Sequence, residues 1–294
     1  MHPAPRTPRR AVAAVTVALL ATAVGCAPQP EEEAAATSSG PAAKSCAKGK
    51  LATKETGKLT IATDEPAYEP WFKDDKPANG QGFESAVAYA VAKRLGYDKS
   101  AVVWQSVPFN KAFAPGVKSF DFDINQVSIS DERKKAVDFS SGYYDVRQAV
   151  IALKGGTAAK ARSIADLRKL KLGAQVGTTS LDYITDLVKP ARQAAVFGKN
   201  DQAKSALKNR QVDAVVTDLP TAFYITAAEV TDAEIVGQFE NQGGASEQFG
   251  LVLDKGSALT SCVTAAVDAL REDGTLARIE KQWLSDAVDA PVLK

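Results

Sequence analysis

Two stretches decide the fold: "FNKAFAPGVKSFDFDINQ", residues 109–126, and "NDQAKSALKNRQVDAVVTD", residues 200–218. Each runs from a short helix-forming segment through a turn into an Asp-containing strand. Each also leaves polar groups at the carboxyl end of that strand: Asn125 and Gln126 in the first, Asp218 in the second. Two α/β units built alike imply two lobes facing each other. In open α/β sheets, ligands sit outside the carboxyl ends of the strands, so these polar ends mark the expected cleft.

The same alternation extends in both directions and makes the chain α/β throughout. "KLTIAT" (58–63), "AVVWQSV" (101–107) and "DFDINQV" (121–127) read as strands, and "GFESAVAYAVAKRLG" (82–96) as an amphipathic helix ending at Gly96. Beyond residue 145, "VRQAVIALK", "KLKLGAQV", "VDAVVTD", "AEIVGQF" and "EQFGLVLDK" read as extended. Between them "SIADLRK", "SLDYITDLV", "DQAKSALKNR" and "LPTAFYITAA" read as helices, and two more, "ALTSCVTAAVDALRED" and "GTLARIEKQWLSD", close the chain. The chain is expected to cross between lobes near residues 144–148 and again near 247–249. The first lobe then comprises residues 51–145 plus 248–294 and the second 146–247, with the last two helices packed on the first lobe.

The N-terminus has a different character. Arg6, Arg9 and Arg10 precede an uncharged run, Ala11 to Gly25. As a helix that run spans roughly 22 Å, short of the ~30 Å hydrocarbon core. A positive start, a short apolar stretch and small residues before the break describe an export signal over residues 1–25. "TAVGC" (22–26) resembles the lipobox of bacterial lipoproteins, which implies acylation of Cys26; ordinary secretory cleavage near Ala27 is the alternative. Residues 26–50 then read as acylated cysteine and flexible tether. Rich in Pro, Glu, Ala, Ser and Gly, the tether holds little to bury and reaches roughly 25 Å.

Composition excludes several classes. Loss of the signal removes three arginines and no acid, moving the formal charge from +1 to −2, which is no footprint for nucleic acid. The single histidine, His2, goes with it, so metal sites and acid–base chemistry that need imidazole are not expected. With Cys26 acylated, Cys46 and Cys262 remain as an even pair in an oxidising compartment, and a disulfide between them is expected. Two separate buried thiols are the alternative.

From about Lys58 to Ser285 the chain resembles the solute-binding proteins of polar amino-acid ABC transporters, the bacterial family 3 group. The resemblance rests on "LTIATDEPAYEPW", "GFESAVAYAVAKRLG", "INQVSISDERKKAVDFS", "VGTTS", "VDAVVTD" and "REDGTLARIEKQWLS", in order and spacing. It implies a two-lobed, periplasmic-binding-protein-like type II fold with a two-strand hinge and an interlobe ligand cleft. It also implies a free amino acid as ligand, an ABC permease and its ATPase as partners, a monomer, and no cofactor, metal or catalytic residue.

The resemblance assigns roles residue by residue. Arg133 matches the carboxylate-binding arginine, whose planar fork pairs a carboxylate bidentately as lysine cannot. Ser128 matches the hydroxyl beside it, and the backbone at Asn125 and Gln126 would add partners. Asp131, Glu132, Lys134 and Lys135 read as a solvated helix start. Thr178 and Thr179 open a helix whose free N–H groups favour an anion, although Thr178 or Ser180 could equally cap it. Asp218 matches the partner of the α-ammonium, with helix capping as the alternative. Asp64, Tyr68 and Phe109 match positions around the ligand side chain, and Tyr68 would stack against it. Trp71 reads as packing.

Two other functions remain open at this point: an amino-acid sensor contacting a receptor, and a dehydratase-type enzyme using Asp64, Glu65 or Glu69 as its acid. Asp64 favours a side chain bearing a donor. Glutamine, a basic amino acid and cystine all remain candidates.

Overall fold

The computed structural model describes Cys46, residues 49–241, 246–284 and 289–294. The export signal, Cys26 and most of the tether lie outside the described residues. Among those described, no helix is long and apolar enough to cross a membrane.

Two sheets organise the chain. The first has the order β2-β1-β3-β10-β4, built from β1 (Leu59–Thr63), β2 (Val102–Ser106), β3 (Phe122–Asp123), β4 (Val137–Val146) and β10 (Glu247–Asp254). β1 runs parallel to β2 and β3, while β10 runs antiparallel to β3 and β4. The second has the order β11-β9-β5-β8-β6-β7, from β5 (Gln148–Leu153), β6 (Leu172–Gln175), β7 (Ala195–Phe197), β8 (Ala214–Asp218), β9 (Ala233–Phe239) and β11 (Val292–Leu293).

Each sheet has its own core. Leu59 and Ile61 of β1, Phe122 of β3 and Leu251 and Leu253 of β10 pack with Phe83, Val87 and Val91 of the helix Phe83–Arg94. Val263, Val267 and Leu270 of the helix Thr260–Glu272 and Leu276 of the helix Thr275–Trp283 join the same core. In the second sheet successive side chains point to opposite faces. Val150 and Val216 face one core, Ile151 and Val215 another, so both faces are covered. That double cover explains why these strands read as continuous apolar runs.

The hinge is two adjacent strands. β4 ends at Val146 in the first sheet and β5 begins at Gln148 in the second, with Arg147 alone between them. β10 returns alongside, Glu247 opposite Val146 and Gln248 opposite Asp145. Val146 and Glu247 thus pair in the first sheet, one residue from the expected boundaries. The Cys46–Cys262 disulfide is present and ties the segment before β1 to the helix Thr260–Glu272.

The structure departs from expectation in three places. The strand expected over 121–127 is only Phe122–Asp123, because the chain turns at Gln126, which takes φ 50°. β4 and β7 were not foreseen as strands. The last residues do not belong to the first lobe: β11 pairs with β9, and Leu293 is buried in the second sheet's core.

One glycine fixes the entry to the first helix. Gly82 has φ 94°, and a Cβ there would overlap the Trp71 carbonyl oxygen. The turn after β1 is thereby pressed against the helix that carries Glu84.

Candidate functional site

The carboxyl ends of the parallel strands converge, as the sequence argument requires. From the first lobe come Asp64 just after β1, Tyr68, Phe109 at the start of the helix Phe109–Ala112, then Asn125, Gln126, Ser128 and Arg133 after β3. From the second come Thr178 and Thr179 after β6 and Asp218 at the end of β8. These ten residues, each singled out from the sequence, line one cavity of about 30 Å³, completed by Gln175 and Asn200. That volume holds about one or two waters.

Arg133 spans the cleft. Its Nη1 donates to the Ser128 carbonyl at 2.6 Å and its Nη2 to the Gly177 carbonyl, on the other lobe, at 2.8 Å. The guanidinium also lies 4.4 Å from the Phe113 ring centroid and 5.8 Å from that of Phe109, a cation–π arrangement that holds its plane. Burial works against its charge; Asp182, Glu247 and Asp218 work for it. Gly177 has φ 74°, and a Cβ on it would overlap the Asn110 side chain, so glycine lets the two lobes approach here.

The loop after β6 divides its labour. Thr178 caps the helix Thr179–Asp182, accepting from the Leu181 N–H at 3.2 Å while donating to the Gln175 carbonyl at 2.8 Å. Ser180 donates to Gln148 Oε1 at 2.6 Å. Thr179 is left to face the first lobe, its Oγ1 3.3 Å from Ser128 Oγ. Both hydroxyls donate to Glu247 Oε1, each at 2.6 Å.

Asp218 sits at the N-cap of the helix Leu219–Tyr224 but does not cap it. Its Oδ1 instead accepts from Gln148 Nε2 at 2.7 Å. Burial, then the negative charges of Glu247 and Glu84, push its carboxyl up to about 7, against the Gln148 hydrogen bond and Arg133.

At Gln126 the geometry corrects the sequence reading. Its backbone was expected to add a partner for a ligand; the N–H is committed to Glu84 Oε1 at 2.7 Å instead, and the side-chain amide donates to Glu84 Oε2. Tyr143 also donates to Glu84, whose carboxyl burial raises to about 7 against these three hydrogen bonds. Asn125, by contrast, has a buried Nδ2 with no partner among the described residues, so it keeps a donor at the cavity. Asp123 of β3 is fully buried, with neither oxygen partnered among the described residues; burial, Glu84 and Asp64 hold its carboxyl well above the usual range.

Trp71 is packing, and it too joins the lobes. It is buried edge-on against Phe83, Tyr144 and Phe249, and its Nε1 donates to Thr221 Oγ1 at 2.9 Å. Sequence reasoning missed Gln148, Gln175, Asn200 and Glu247. The available signal was a glutamine inside otherwise apolar strands, "RQAVIAL" and "LGAQV", where a buried amide needs partners. Among the described residues, no group of three or more His, Cys, Asp or Glu is placed to hold a metal ion.

Residues 59–286 match the family model of bacterial extracellular solute-binding proteins, family 3. The chain is 28% identical over 254 residues to the ABC transporter glutamine-binding protein GlnH of Bacillus subtilis (strain 168), covering 85% of this chain and 89% of that protein. Among solved structures it is similar to an ancestral arginine-binding protein bound to glutamine, with TM-score 0.65 and 31% identity over 78% of this chain and 98% of that one. It is also similar to the ancestral amino acid-binding protein AncCDT-1, a precursor of cyclohexadienyl dehydratase, with TM-score 0.64 and 30% identity over 78% of this chain and 95% of that one.

Proposed function

Because the chain belongs to the bacterial extracellular solute-binding proteins of family 3, we propose that it captures a free polar or cationic amino acid between its lobes and delivers it to an ABC permease. One observation carries this reading. Arg133 on the first lobe and Asp218 on the second flank a single cavity, with an unpartnered Asn125 donor beside them. A zwitterion must have both charges paired if it is to be enclosed. A guanidinium for the carboxylate and a carboxylate for the ammonium, on opposite jaws, meet that requirement only when the jaws are shut.

In this reading Arg133 grips the ligand carboxylate, helped by the amides that open the helix at Thr179. Asp218 holds the α-ammonium. Asp64, Tyr68 and Phe109 surround the side chain, Asn125 keeps an amide donor at the cavity wall, and Ser128, Thr178 and Gln126 shape the walls. The ligand shifts an open–closed equilibrium because it binds the closed form better, with β4 and β10 as the hinge. The protein acts as a monomeric binding protein rather than an enzyme, held outside the cytoplasmic membrane by a lipid on Cys26.

A thermal-shift screen of the twenty amino acids plus cystine, followed by calorimetry of each hit, tests this reading. Stabilisation by at least one α-amino acid, at 1:1 stoichiometry, is expected. No stabilisation by any of them would overturn it.

A further inference from the structure

The hinge strand carries a charge that the ligand scheme above does not use. Glu247 opens β10, and its Oε1 accepts from Ser128 Oγ of the first lobe and from Thr179 Oγ1 of the second, both at 2.6 Å. Gln148 Nε2 lies 3.4 Å from the same oxygen and 2.7 Å from Asp218 Oδ1, so one amide links the two carboxylates. Glu247 Oε2 is buried with no partner among the described residues. The arrangement is pinned by backbone: Ile129 N–H donates to the Gln248 carbonyl, and Gly250 N–H to the Val127 carbonyl.

A hydroxyl has one proton to give. Ser128 and Thr179 both give theirs to Glu247, so towards the cavity they offer lone pairs only. Such a pair of hydroxyls has no proton left for a ligand carboxylate, which falls to Arg133 and the helix amides, while the oxygens and the Glu247 charge behind them add negative potential to the cleft. The charge balance points the same way. Asp64, Glu247 and, once it ionises, Asp218 stand against the single guanidinium of Arg133, and a zwitterion leaves that excess of negative charge uncancelled. A ligand with one further positive charge reduces it.

We propose that Glu247 is a specificity-determining residue acting from behind Ser128 and Thr179, and that it makes the cleft prefer cationic α-amino acids, of the arginine or lysine type, over neutral ones. This rests on the amino-acid reading given above and narrows its substrate class. Glu247 does not touch the ligand; it positions two hydroxyl protons and supplies charge. It also bears on Asp218, which faces Gln148 on β5, Glu247 on β10, Glu84 on the helix Phe83–Arg94, and Arg133. Of these, Glu247 and Glu84 oppose its ionisation while Gln148 and Arg133 favour it.

The test is calorimetric titration of wild type, Glu247→Gln and Glu247→Asp with L-arginine and L-glutamine between pH 5.5 and 8.5. Wild type is expected to prefer arginine. Glu247→Gln should reduce the arginine-to-glutamine affinity ratio about tenfold, and should move the pH at which glutamine affinity rises to a lower value, because Asp218 then ionises more readily. Glu247→Asp, which keeps the charge, should hold the ratio within about threefold of wild type. If Glu247→Gln does not melt cooperatively, Thr179→Val replaces it, removing one of the two hydroxyls, and a threefold fall in the ratio is expected. An unchanged ratio and pH profile in these variants, or a wild type that prefers glutamine, overturns the proposal while leaving amino-acid capture standing. A wild type that binds no α-amino acid overturns the earlier reading instead.

Discussion

Replacing Arg133 by alanine is the sharpest probe of the cleft. The guanidinium is buried, crosses from Ser128 to Gly177, and is held against the Phe113 ring. Removing one partner of a buried ion pair costs about 3–5 kcal/mol, because the other charge is left without compensation. In the proposed scheme the abandoned charge is the ligand carboxylate, so the dissociation constant should rise by about two to four orders of magnitude. Arg133→Lys keeps a charge but loses the planar fork, and a single ammonium cannot reach both the Gly177 carbonyl and a carboxylate. It should therefore lose at least about tenfold. The empty protein responds too: without the Arg133–Gly177 hydrogen bond the lobes lose a charge-assisted link, and small-angle scattering should show a larger radius of gyration for Arg133→Ala. Calorimetry with the best wild-type ligand reads the first effect, and a melting curve confirms that the variant is folded. A loss of less than threefold in a folded Arg133→Ala protein would remove Arg133 from the site and with it the scheme for the carboxylate.

Two further outcomes concern stability rather than affinity. Glu84 and Asp218 both have carboxyls raised to about 7, above the ~4 of an unfolded chain, so each contributes stability that is fully present below pH ~4 and is lost as pH rises to about 7. The ligand-free protein should melt a few degrees higher at pH 5 than at pH 8 (at ~2–4 °C per kcal/mol for a chain of this size), and Glu84→Gln should shrink that difference; an unchanged difference in Glu84→Gln would show that Glu84 titrates normally. Replacing Cys46 and Cys262 together by serine opens a closure spanning 216 residues and should cost about 2–5 kcal/mol, read by urea unfolding, with ligand affinity unchanged because neither cysteine lines the cavity; equal unfolding midpoints would show that the link adds nothing.

Much of this was written in local pattern. The strand ends at Asn125 and Asp218, the arginine five residues after Ser128, and the Gly-Thr-Thr turn each advertise a site because polar groups interrupt apolar runs. The helix Phe83–Arg94 and the last two helices follow from spacing of apolar residues and a closing Gly96. What the sequence hid is set by tertiary pairing. β4 carries Asp138, Ser140, Ser141 and Gly142 and lacks a clean apolar run, yet it is a ten-residue strand because β10 lies beside it. β11 is two residues whose only reason to be extended is the free edge of β9. Glu84 looked like one acid in a helix's first turn; only the folded chain shows that it takes the Gln126 N–H away from the cleft. Glu247 was likewise invisible, because nothing in "SEQFGLVL" says that its first acid meets hydroxyls 119 and 68 residues away.

The interlobe contacts bear on how the ligand acts. Arg133 to Gly177, Ser128 to Thr179 and Trp71 to Thr221 all join the lobes directly, and Lys199 Nζ adds a hydrogen bond to the Glu65 carbonyl at 2.5 Å. The closed form therefore has its own favourable contacts, and its main polar groups are already partly satisfied by the protein. A cavity of about 30 Å³ is too small for an amino acid, so entry requires the lobes to part. Once inside, the ligand must replace those contacts as well as add its own. The net drive to closure is then the difference between two sets of hydrogen bonds rather than the sum of one, since a ligand shifts the equilibrium only by its differential affinity for the two forms. That difference is largest for a ligand that meets what the protein itself meets least, the unpartnered Asn125 amide and the negative charge of Asp64 and Asp218, which only neutral N–H groups of Glu65 and Gln148 hydrogen-bond. Selectivity and closure are for this reason the same physical event in this fold.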